Sequence, residues 1–117
     1  MEKDEYKITT QEELENMKPF PCLESFTFMR GADGTARFNF PQRVRIHSPT
    51  GMEYGYRGSG PADCALNILL HFVDGRTAWG LYQDFKFSFI APIDRDAKYE
   101  LGAERIREWL QERGVRA

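Results

Sequence analysis

The chain predicts an α+β fold, a small antiparallel sheet of about four or five strands with two main helices packed on one face. Apolar residues alternate with a period of two through most of the stretch from Ser25 to Arg57, which is strand patterning. They change to helical spacing in two places, from Pro61 to Val73 and from Ala103 to Arg113.

Taken in order, Thr10-Gln11-Glu12-Glu13 has the capping-box pattern, and Leu14 with Met17 gives a thin apolar stripe, so a short helix is expected before Pro19. Pro19 and Pro21 then hold an extended entry to the fold. Phe26 and Phe28 share one face, Gly31-Ala32-Asp33-Gly34 turns the chain, and Ala36, Phe38 and Phe40 return, which reads as a hairpin. Arg43 to His47 alternates again with Val44 and Ile46 inward, and Ser48-Pro49-Thr50-Gly51 has the residues of a turn. Residues 53 to 73 read as a strand carrying Tyr54 and Tyr56, a tight turn at Gly58-Ser59-Gly60-Pro61, and a largely buried helix whose only polar line is Asp63, Asn67 and His71. A second short helix is expected over Arg76 to Gln83, and a strand over Phe85, Phe87, Phe89 and Ala91. Asp94 to Lys98 is a polar loop, and the closing helix turns Ala103, Ile106, Trp109 and Leu110 to the core with Gly114 as its stop.

At 117 residues, with nine Phe, five Tyr and two Trp, the chain has enough length and apolar mass for one core without a metal or disulfide staple. The net charge of −2 is uneven. Glu2, Asp4, Glu5, Glu12, Glu13 and Glu15 crowd the start, so residues 1–22 read as an acidic, partly flexible extension and residues 23–117 as a single domain near neutrality. No stretch approaches the ~20 apolar residues of a membrane helix, and the acidic start is unlike a secretory leader, so a cytoplasmic home is expected. Cys22 and Cys64 lie in no metal-ligand spacing and read as buried structural thiols; no metal and no cofactor is expected.

The run from His47 to Leu70, with Gly55-Tyr56-Arg57-Gly58-Ser59-Gly60-Pro61-Ala62 at its centre, resembles a family of uncharacterised bacterial and phage proteins with the hallmark G-F-x-W-G-Y-x-G-S-G-P-A-x-x-A-L-A-x-L. Tyr82-Gln83-Asp84-Phe85-Lys86 and the helix with Ile106 and Trp109 extend the likeness to roughly residues 24 to 112. Met52, Tyr54 and Arg57 depart from it. The resemblance implies a shared fold and a bacterial or mobile-element origin, and it carries no catalytic assignment.

Two candidate sites stand out. Gly58, Ser59 and Gly60 open a helix, where free N–H groups and the positive end of the dipole suit an anion, and Arg57 precedes them. The competing account has the glycines allow a sharp reversal and Ser59 cap the helix. The second is a face of Arg43, Arg45 and His47, which Arg57 and Lys86 extend if their strands are neighbours; it is an interaction surface or simply the wet side of a sheet. A triad of Ser59, Asp63 and His47 or His71 lacks the G-x-S-x-G setting. Asp63 and His71 are about 12 Å apart along a helix, too far to share a metal, and their line reads as a solvated stripe. No catalytic residue is assigned. The sequence favours a non-enzymatic binding module with an unidentified protein partner over a small-ligand or nucleotide-handling enzyme, and the acidic balance argues against nucleic acid.

Overall fold

The structure, a computed structural model, describes residues 9–116. The acidic run Glu2 to Glu5 lies outside the described residues. Helix α1, Gln11–Glu15, starts with the expected capping box: the Thr10 hydroxyl accepts from the Glu13 N–H at 3.1 Å, and the Glu13 carboxylate accepts from the Thr10 N–H at 2.9 Å. So short a helix is held by packing rather than propensity. Leu14 is buried in the core, Phe20 donates its N–H to the Leu70 carbonyl, and Met17 accepts from Gly75. Any side chain at Gly75 would run into the Leu14 carbonyl oxygen, so glycine is needed there for close approach.

Strands β1, Ser25–Arg30, and β2, Ala36–Phe38, form the expected hairpin, with Gly34 at φ +86° in its turn. The Asn39 side chain prolongs the pairing, its Oδ1 accepting from the Thr27 N–H at 2.8 Å and its Nδ2 donating to the Ser25 carbonyl at 3.0 Å. The third strand, β3, is Tyr99–Gly102, beside the loop and unmarked by alternation. The sheet is antiparallel in the order β2-β1-β3, with Phe28 opposite both Phe38 and Tyr99. Three strands, rather than four or five, make up this sheet.

The remaining elements are helical: α2, Ser59–Leu69; α3, Gly75–Phe85; and α4, Ala103–Glu112. Asp74 caps α3 through the Thr77 N–H at 2.9 Å. Every residue from Gly60 to Val73 is buried, so α2 runs through the centre of the molecule. Phe26 of β1 meets His71 and Phe72 edge-on or tilted at ring distances of 5.3 and 5.7 Å. Ala103, Ile106, Trp109 and Leu110 of α4 are buried as their spacing predicts.

Three expected strands are absent, each for a local reason. Residues 43–48 form no strand, because side chains of α2 take the N–H groups of Arg43, Val44, Ile46, His47 and Ser48, as described below. Residues 53–57 are broken by Gly55, at φ +91°, whose N–H donates to the Ile90 carbonyl at 3.0 Å. The aromatic run after Phe85 continues α3 as a π-helical segment, Lys86–Ile90. Phe85 and Phe89, four residues apart, meet at a tilt with ring centroids 5.0 Å apart and both meet Trp109 of α4, while Phe87 points outward. Alternation across so short a run does not distinguish a strand from a wide helix. Among the described residues no helix is long and apolar enough to cross a membrane.

Candidate functional site

The polar line that starts in α2 and ends at His71, just past the helix, is the first surprise. Asp63, Asn67 and His71 are 0, 0 and 4% exposed, so the expected solvated stripe is an interior one. Buried polar groups need partners, and these find them on two other stretches of chain. The Asp63 carboxylate accepts from the N–H groups of Ile46 at 3.3 Å, His47 at 3.0 Å and Ser48 at 3.0 Å. Asn67 Oδ1 accepts from the N–H groups of Arg43 at 2.6 Å and Val44 at 3.0 Å, and its Nδ2 donates to the carbonyls of Val44 and Asp63. His71 Nδ1 donates to the Pro21 carbonyl at 2.6 Å. That fixes the tautomer and leaves Nε2 as a buried acceptor with no partner among the described residues. Burial is the main cause that lowers the His71 pKa, opposed by the Pro21 hydrogen bond. The helix therefore does for residues 43–48 what a neighbouring strand would do.

The three residues of the Arg43, Arg45, His47 face have separate environments. The Arg43 guanidinium covers the Phe20 ring at 4.9 Å. His47 stacks on Trp79 and Tyr82 at ring distances of 5.9 and 5.2 Å. The Arg45 carbonyl accepts from the Thr9 N–H and its own N–H donates to the Thr9 hydroxyl, and Arg45 lines a groove of about 440 Å³ beside β2, together with Phe38, Phe40, Gln42, Pro49 and Met52. Gln42 braces that groove, donating to the Val44 carbonyl and accepting from the Met52 N–H. The Arg45 guanidinium has no hydrogen-bond or ion-pair partner among the described residues.

At the glycine-rich turn, Gly58 is the N-cap of α2 and makes no side-chain cap bond, while Ser59 is already inside the helix and exposed, so Ser59 is not the cap. Gly60 is buried against the stem of Glu53, and the Glu53 carboxylate is held by Arg30 Nη1 at 3.0 Å to each oxygen. Arg57 lies on the surface with its guanidinium 5.3 Å from the Phe87 ring centroid, and Lys86 Nζ stands 4.6 Å from that same centroid. Arg57 and Lys86 thus do meet, across an aromatic ring rather than on a sheet. Lys86 is the residue whose place the sequence obscured; a cation inside the run Phe85 to Phe89 was its signal.

Cys64 is buried, and desolvation followed by the nearby Asp63 charge pushes its thiol pKa well up, as suits an inert core thiol. Cys22 is exposed, contrary to expectation, with Arg107 Nη2 3.9 Å from its sulfur. Among the described residues no group of His, Cys, Asp and Glu is arranged to hold a metal ion.

Residues 24–112 match the model of a family of unknown function, DUF6166. The chain belongs to that family. No match was found among curated proteins or among solved structures. The DUF6166 span runs from just before β1 to the end of α4, so it includes the polar line of α2, the groove beside β2 and the Arg57–Lys86 pair. It leaves out α1, although Leu14 is part of the core.

Proposed function

We propose that the protein is a non-enzymatic binding module, of bacterial or phage origin, that docks an extended, acid-bearing segment of a protein partner along the outer edge of β2. The observation that carries this reading is the groove of about 440 Å³ beside that edge, with Arg45 in its lining. Among the described residues β2 pairs only with β1, so its other edge offers unpaired backbone groups to an added strand. Phe38, Phe40, Pro49 and Met52 supply apolar walls for a side chain of that strand, and the unpaired Arg45 guanidinium suits a carboxylate. The non-enzymatic part rests on Asp63, Asn67 and His71. These groups, suited to acid–base work, are instead bonded to backbone in the interior.

The test is selection from a displayed library of extended peptides, followed by titration of the enriched peptides against the intact chain. Enriched sequences are expected to carry Asp or Glu, to protect β2 amides from hydrogen exchange, and to lose about tenfold in affinity with Arg45→Gln, the weight of one charge-assisted hydrogen bond. Enrichment of peptides without acids, protection confined to α4, or no enrichment at all would each count against the reading.

A further inference from the structure

The fold fixes the point from which the start of the chain departs. Leu14 of α1 is buried in the core, the Gly75 N–H donates to the Met17 carbonyl at 2.9 Å, and the Phe20 N–H donates to the Leu70 carbonyl at 2.6 Å. Thr9, the first described residue, is tied to Arg45 as well. Its N–H donates to the Arg45 carbonyl at 2.8 Å, and its hydroxyl accepts from the Arg45 N–H at 3.3 Å. Arg45 lines the groove beside β2. The chain before Thr9 therefore leaves the described fold at one of the groove's own residues.

What precedes Thr9 is Glu2-Lys3-Asp4-Glu5-Tyr6-Lys7-Ile8. Alternate side chains of an extended chain share a face. On that pattern Glu2, Asp4, Tyr6 and Ile8 fall together, two acids with two large apolar side chains, while Lys3 and Lys7 fall on the opposite face with Glu5. The first set has the composition the groove calls for. Phe38, Phe40, Pro49 and Met52 suit the apolar pair, and the Arg45 guanidinium, without an ion-pair partner among the described residues, suits a carboxylate. Reach is no obstacle. Asp4 lies five residues before Thr9, at most about 18 Å of extended chain, and Tyr6 and Ile8 lie closer. These residues precede the span 24–112 that matches the family, so they are additional to the part its members share.

We propose that residues 2–8 of this chain occupy the groove beside β2 in cis, as a built-in competitor of the partner segment. The inference rests on the reading of that groove as a docking site for an acid-bearing strand. So short a tether holds the segment at an effective concentration on the order of millimolar, so even weak contacts keep the groove filled, and a partner must bind better than the chain's own start.

The experiment is NMR on the full chain. Expected are NOEs from the Tyr6 and Ile8 side chains to Phe38, Phe40 or Met52, weakened when Glu2→Gln, Asp4→Asn and Glu5→Gln are combined, and weakened likewise by Arg45→Gln. Absence of these NOEs, or NOEs unchanged by the triple variant, would overturn the proposal. In a mixture of labelled and unlabelled chains, NOEs found only between chains would seat the segment on a second copy and overturn it too. Acid-bearing peptides selected on the groove should bind the triple variant about tenfold tighter than the parent chain, the gain when a groove about nine-tenths filled is emptied. Equal affinity would show that the segment does not compete, and would overturn the proposal as well. The two readings fail separately: peptide binding without the NOEs removes only the competitor, and the NOEs without any enriched peptide support the segment's place and remove the partner.

Discussion

The polar line of α2 and the Arg57–Lys86 pair are both charged or polar clusters beside one helix, and they have opposite fates. On the line, the Asp63 carboxylate and the Asn67 amide are matched to backbone groups of residues 43–48. At the pair, two cations share a ring and, among the described residues, no carboxylate. The difference teaches where to look for function in a fold without a catalytic constellation. Polar groups satisfied within the chain hold the structure together, and polar groups left unsatisfied are available to something outside it.

The comparison breaks most visibly at Asp63. Asp63→Ala leaves the N–H groups of Ile46, His47 and Ser48 without their acceptor. At about 1–3 kcal/mol for each buried donor left unsatisfied, the loss should exceed about 3 kcal/mol, read as a lower urea midpoint with an unchanged slope. An unaltered midpoint would show that residues 43–48 hold themselves in place.

His71 gives a smaller effect with a defined sign. Its folded pKa lies below the ordinary value of 6.5, so in the window between the two the unfolded chain binds more protons than the folded one. The stabilising contribution is fully present above pH 6.5 and is lost as pH falls through the folded value. Urea midpoints measured from pH 7.5 downward should decline over that window, and His71→Gln should flatten the decline.

Arg57→Gln should have the least effect on stability, within about 0.5 kcal/mol, because the side chain is at the surface and joins no ion pair among the described residues. A large loss of thermal stability in this variant would place Arg57 with the structural residues and erase the contrast.

Much of the fold was legible because its signals are local. The Thr10 to Glu13 capping box, the hairpin around Gly34, and the spacing of Ile106, Trp109 and Leu110 each depend on residues within a few positions of one another. The expected strand over Phe85 to Ala91 failed because a run of alternate Phe residues fits either a strand or a π-helical turn. What separates them is whether Phe89 meets Trp109, a contact made across the molecule.

The same division holds for the sites. By itself the sequence determined that α2 would be buried, that a glycine turn would open it, and that Asp63, Asn67 and His71 would share one line, since helical period and glycine content are written in neighbouring residues. Only the tertiary structure decided that this line would face inward and bind residues 43–48, and that Lys86 would come to rest beside Arg57. The direction a helix face takes is set by what packs against it, and that partner comes from distant parts of the chain.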